Sequence, residues 1–181
     1  MVELFKESAD SNFEGTIIDI ETIGEFDESY PGDSRRYRNI TPVLLGYLSR
    51  SQLKIYFIRN QEEILGFKKY LIDHVAELER PLHAFNCRFE TGVLYHFCNI
   101  KFGIERELNA RRGEAKWYVI KSLGLDKYDD PFDGSGLACK NAWLRGEVEK
   151  CVRHNRSCLL TERDLLLERG FRDPDEVIFM L

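Results

Sequence analysis

Asp19 and Glu21 stand two positions apart inside "TIIDIETIG", residues 16–24. The flanking Thr16, Ile17, Ile18 and Ile20 are residues that favour a central strand. Residues two apart on a strand project to the same face, so these two carboxylates lie side by side and repel. Burying one unpaired carboxylate is unfavourable, and burying two is worse. A divalent cation is the most compact counter-charge, so the pair points to metal-assisted chemistry. Glu90 opens a helical run in "AFNCRFETGVL", where the helix dipole alone would favour an acid. His154, Cys158 and Glu162 recur at intervals of four and share one helix face, with Asp164 farther round. An imidazole suits general-base work. A thiol is a soft ligand and a poor match for Mg²⁺ or Mn²⁺.

The elements that must hold these groups alternate. "EGTIIDIET" reads as the first strand, followed by a long polar loop through "SRRYRN". "TPVLLGYLSR" and "LKIYFIRN" read as two strands joined by a turn around Ser49 to Gln52. In "QEEILGFKKYLIDHVAELE" the apolar residues Ile64, Leu65, Phe67, Leu71, Ile72 and Val75 have helical spacing, with Asn60 as N-cap. "PLHAF" is a short buried strand and "RFETGVLYHFCNI" a second helix. Residues 103–136 are mixed, and a last long helix runs through "LRGEVEKCVRHNRSCLLTERDLLLERG". "DKYDDPFDG" lacks EF-hand spacing and reads as a turn. The pattern predicts an α/β fold with a mixed central sheet flanked by helices, in one domain over residues 1–181.

Composition excludes several classes. The chain has 181 residues, 43% hydrophobic and 31% charged, which suits one domain with a sizeable core. No window approaches the ~18 consecutive apolar residues of a membrane span, and the opening residues lack a secretory pattern. Five cysteines with no CxxC pair favour a reducing, cytoplasmic setting. His74, His83 and His96 are dispersed, and Cys98, Cys139 and Cys151 read as core packing rather than a zinc pattern. A net charge of −5 argues against a whole-surface grip on nucleic acid, so a polyanion needs a local basic groove or metal ions.

Three motifs over residues 16–167 make the chain resemble the DEDD 3′-to-5′ exonucleases of the ribonuclease H-like superfamily, most of all the small type found in archaea and bacteria. "DIET" matches the family's opening Asp-x-Glu. "AFNCRFETGVL" matches its second motif through Asn86, Phe89 and Glu90, with Glu in place of Asp. "VRHNRSCLLTERDLL" is similar to the last motif, with His154 at the Tyr position and Cys158 where the final Asp belongs. The resemblance implies a ribonuclease H-like fold and two Mg²⁺ or Mn²⁺ ions about 3.5–4 Å apart. It implies that Asp19 bridges the ions, that Glu21 holds the water-activating one, and that Glu90 supports the second. Cys158 or Glu162 would stand in for the missing ligand, with core packing as the alternative for Cys158, and His154 would activate water.

Substrate grip is assigned to Arg35, Arg36, Tyr37 and Arg38 in "SRRYRN", to Arg111, Arg112, Lys116, Trp117 and Tyr118 in "NARRGEAKWY", and to Asn86. Interleaved cations and rings suit single strands. A solvated loop with a half-buried Trp is the alternative for these stretches. The expected activity is 3′-to-5′ hydrolysis of single-stranded nucleic acid, DNA favoured over RNA. A binding protein that kept the fold without catalysis, or a structure-selective endonuclease, are the alternatives. The apolar run Val177 to Leu181 is expected to dock on the core or on another copy, which favours a closed homo-oligomer.

Overall fold

The structure is a computed structural model that describes all residues, 1–181. Its elements are β1 (Glu3–Ser8), β2 (Thr16–Gly24), a 3₁₀ turn (Ser34–Tyr37), β3 (Ile40–Leu48), β4 (Gln52–Phe57), a second 3₁₀ turn (Gln61–Glu63), α1 (Ile64–Val75), β5 (Leu82–Ala84), α2 (Cys87–Cys98), β6 (Arg106–Glu107), α3 (Lys116–Leu123), α4 (Gly136–Leu144) and α5 (Val148–Arg169). They build one six-stranded mixed sheet in the order β1-β4-β3-β2-β5-β6, flanked by five helices. That arrangement is compatible with a ribonuclease H-like fold. No helix is long and apolar enough to cross a membrane.

β2 occupies the middle of the sheet because its run of isoleucines tolerates burial on both faces. It pairs antiparallel with β3 and parallel with β5. In that register Asp19 lies opposite Gly46 and Glu21 opposite Leu44, and the pairing shifts just after Glu21. α5 packs across β3 at Gly46, where a side-chain carbon would fall 1.9 Å from Asn155 Oδ1. The glycine therefore lets α5 approach closely enough for its side chains to meet β2. α2 starts at the end of β5 and presses against the 3₁₀ turn, where Gly92 leaves room for the Tyr37 ring.

The structure departs from the sequence expectation at several elements. The strand read as the first is β2; β1 precedes it as an edge strand paired with β4. Its "ELFKES" has only Leu4 and Phe5 as apolar residues among Glu3, Lys6 and Glu7, so no apolar run marks it, as is common for edge strands. The last long helix is α5, and it begins at Val148 rather than Leu144; α4 precedes it over residues the sequence left unassigned, and Gly146 turns the chain between them at φ +79. α5 ends at Arg169 with Gly170 at φ +76, four residues ahead of Pro174. Asn60 caps the 3₁₀ turn before α1 rather than α1 itself. Residues 103–136 contain β6 and α3, which the sequence left unassigned. The tail docks on its own chain. The Ser34 amide donates to the Ile178 carbonyl, Ser34 Oγ bonds both backbone polar groups of Met180, and Phe179 packs edge-on against Tyr95.

Candidate active site

β2, α2 and α5 bring Asp19, Glu21, Glu90, His154 and Cys158 to one cleft of about 370 Å³, which Asn86 and Lys116 also line. The first four are nearly excluded from solvent, and so is Glu162 behind them. Alternation on β2 puts Asp19 and Glu21 on the face that α5 covers. Asn155 Nδ2 donates to Asp19 Oδ2 at 2.7 Å and to the Asp19 carbonyl at 3.3 Å, which fixes that carboxylate. Lys116 Nζ reaches Asp19 Oδ1 at 3.3 Å and Glu162 Oε1 at 2.5 Å. Its ammonium also lies 5.3 Å from the centre of the Phe85 ring.

His154 is held from behind. Its Nδ1 lies 2.7 Å from Asp130 Oδ1, and its Nε2 faces Glu21 Oε1 at 3.6 Å and Cys158 Sγ at 3.8 Å. Asp130 is itself fixed by the amides of Phe132 at 2.9 Å and Gly134 at 2.6 Å. The acid-rich stretch read as a turn is a turn, and it also supplies the group that orients the histidine.

The electrostatics are those of crowded carboxylates. Burial raises Glu21 to about 7; the Asp19 charge adds to this, while His154 and Lys116 oppose it. Burial, then the Asp19 and Glu162 charges, push Glu90 well above the ordinary carboxylate range. Burial likewise raises Glu162 to about 8, against the pull of Lys116. Burial would discharge His154, but Cys158, Glu21 and Asp130 outweigh it and raise the imidazole to about 12. Glu90 Oε2 and Glu162 Oε2 are buried with no hydrogen-bond partner. The cluster holds more acid than its two cations can neutralise.

The residues expected to grip the substrate divide. Tyr37 is corrected: it is a core ring, 5% exposed and packed edge-on with Phe26 and Phe89, and it cannot stack on a base. Arg35, Arg36 and Arg38 are tied to Asp33, Glu28 and Asp27, outside the cleft. Their carboxylate partners already use the charge that would meet phosphate. Lys116 is corrected too. Its ammonium is an internal counter-ion to Asp19 and Glu162, so Glu162 is engaged rather than free as a ligand. Arg111 and Arg112 are exposed, and neither lines a main cavity. Trp117 is 59% exposed and lines an adjoining cavity of about 380 Å³ with Lys121 and Lys127, beside Cys158.

No protein-family model, curated protein or solved structure matches the chain. What the cleft can do is therefore decided by its own donors. Asp19, Glu21 and Glu90 offer the hard oxygens that Mg²⁺ or Mn²⁺ prefers, and the unpartnered Glu90 Oε2 suits a cation. Donor atoms of Asp19, Glu21 and Cys158 all lie within 4.8 Å of one another. The carboxylates fit the hard ion that the motif resemblance implies, while the thiol and the Lys116 ammonium do not. Sequence reasoning missed Asn155, Asp130 and the inward turn of Lys116. Asn155, directly after His154 and on the helix that carries Cys158, was the one within reach of a spacing argument.

Proposed function

We propose that the chain is a metal-dependent nuclease that hydrolyses phosphodiester bonds of single-stranded nucleic acid from the 3′ end, with DNA favoured. The observation that carries this is the convergence of Asp19, Glu21 and Glu90, from a central strand and a neighbouring helix, at an open cleft with too little positive charge to balance them. Asp19, Glu21 and Glu90 would hold Mg²⁺ or Mn²⁺, which when bound supplies an activated water and stabilises charge on the leaving oxygen. Asn155 fixes Asp19. Asp130 fixes the His154 ring so that Nε2 faces the cleft, where the charged ring can give a proton; with that charge displaced by a bound cation, the ring would be able to accept one from water. Trp117, Lys121 and Lys127 line the adjoining cavity, where a ring and cations suit an unpaired strand. Action from the 3′ end and the preference for single strands rest on the three motifs shared with the DEDD exonucleases.

Release of nucleotides from an end-labelled single strand, with Mn²⁺ or Mg²⁺ and with chelator, is the test. Asp19→Asn keeps the oxygen that accepts from Asn155 and should abolish release while the fold survives. Full activity in that variant would sink the site. A circular single strand left intact separates exonuclease from endonuclease. The Lys116 bridge between Asp19 and Glu162 favours a second reading, a strand-binding protein whose ammonium has replaced an ion. Strand binding with no release under any divalent ion would select it. Unpaired cysteines support a reducing, cytoplasmic setting. A closed homo-oligomer is supported by Ile178 and Met180, apolar and exposed beside the Ser34 contact; light scattering that gives a monomer at high concentration rejects it.

A further inference from the structure

We propose that Glu21, Cys139 and His154 form a site for one borderline-soft divalent transition-metal ion of the Zn²⁺ class, next to the harder Asp19–Glu90 side of the cleft. One carboxylate oxygen, one thiol sulfur and one ring nitrogen from β2, α4 and α5 lie within 4.8 Å of one another, all on buried residues. Tetrahedral ligands at about 2.0–2.3 Å from an ion sit roughly 3.3–3.8 Å apart. His154 Nε2 and Glu21 Oε1 are already at 3.6 Å.

Two further observations separate this cluster from packing. Asp130 Oδ1 lies 2.7 Å from His154 Nδ1, the carboxylate–histidine arrangement that orients an imidazole toward a metal and raises its basicity. Cys151, the neighbouring thiol, donates to the Cys139 carbonyl at 3.3 Å. The Cys139 thiol itself lies between Cys151 and the Glu21 carboxylate, within hydrogen-bonding reach of both. An N, O and S set selects Zn²⁺ or Co²⁺ over Mg²⁺, which prefers oxygen throughout. Cys158 Sγ also lies 3.8 Å from His154 Nε2 and groups with Asp19 and Glu21, so variants of the two thiols decide which sulfur binds. Three protein ligands leave a fourth position for water, as catalytic rather than structural sites do.

The site shares Glu21 and His154 with the nuclease reading but does not rest on it, because the ion is read without nucleic acid. Reduced, metal-free full-length protein is titrated with Co²⁺ and followed through its visible bands and its near-ultraviolet thiolate-to-cobalt band. One equivalent should bind with a thiolate band, Zn²⁺ should displace it, and excess Mg²⁺ should not. Cys139→Ser should lose the thiolate band and Cys158→Ser should keep it. Asp130→Asn, which alters no ligand, should keep the band and weaken Co²⁺ binding by about 10–100-fold. This last variant stays informative even if Cys139→Ser fails to fold. The proposal is overturned by Co²⁺ that binds without a thiolate band, by displacement with Mg²⁺, by a band lost only in Cys158→Ser, or by unchanged affinity in Asp130→Asn. Nucleotide release that fails while the Co²⁺ spectra hold would remove the nuclease reading alone.

Discussion

At the scale of single residues, Lys116 decides how much acid the cleft can bury. Its ammonium is the nearest positive charge to both Asp19 and Glu162, and Glu162 is fully buried. Removing one partner of a buried pair strands the other, at about 3–5 kcal/mol. Lys116→Met should therefore lower the melting temperature of the cation-free protein, by roughly 2–4 °C for each kcal/mol lost in a chain of this size. Adding Glu162→Gln should restore much of the loss, since it removes the stranded charge. Melting curves of both singles and the double variant measure the coupling; additive losses would mean that the two groups do not interact. Lys116 also marks where the sequence stopped being legible. Asp19, Glu21 and Glu90 were legible because strand alternation and a helix start fix where such residues point. A lysine beside Trp117 and Tyr118 looks like a strand-binding residue, and only the fold shows that it turns inward. Asp130 was hidden for the same reason, since its partner His154 lies 24 residues on.

At the scale of elements, the close approach of β3 and α5 sets the geometry of the cleft. Gly46 is what permits it, since an added carbon would overlap Asn155 Oδ1 and crowd Leu159 Cδ1 at 2.8 Å. Both neighbours are buried without room to move aside. Gly46→Ala should push Asn155 off Asp19. It should cost about 1–3 kcal/mol, as overpacking does, and weaken divalent-cation binding as well. A melting curve that falls with cation affinity intact would show that Asn155 does not position Asp19. α3 is the opposite kind of element. Val119 is its one buried residue, while Trp117 and Tyr118 are more than half exposed. Little apolar burial holds it, so its amides should exchange hydrogen faster than those of α5, whose buried residues run from Val148 to Leu166. Equal protection would mean that the Lys116 pair anchors the helix by itself. Strands β2 to β5 could be read from apolar runs, but β1 and α3 could not. Their few apolar contacts leave no periodic stripe, and their places depend on partners distant in the chain.

At the scale of the whole molecule, the buried acid of the cleft makes stability depend on pH. Glu21 rises from its ordinary 4.5 to about 7 and Glu162 to about 8, both chiefly through burial. A carboxyl raised in the folded state binds its proton more tightly there than in the unfolded chain. It contributes stability fully below its unfolded value, and that contribution is lost as pH rises through the folded one. His154 acts with the same sign at higher pH, because its folded value lies above its unfolded one and its charge is lost only on the way to about 12. The surface acids held low by arginine, such as Asp33 at about 2, have completed their change below this window. The cation-free protein should therefore become less stable as pH rises from about 4.5 to about 8, with the steepest change near 7. On the proposed reading, a divalent cation held by Asp19, Glu21 and Glu90 would supply the charge that protons supply at low pH. Saturating Mn²⁺ should flatten the profile by raising the melting temperature most at the alkaline end. Melting temperatures measured across that range, with chelator and with Mn²⁺, give the answer. A cation-free profile that rises with pH would show that Lys116 and His154 already neutralise the cleft and that no ion is needed there.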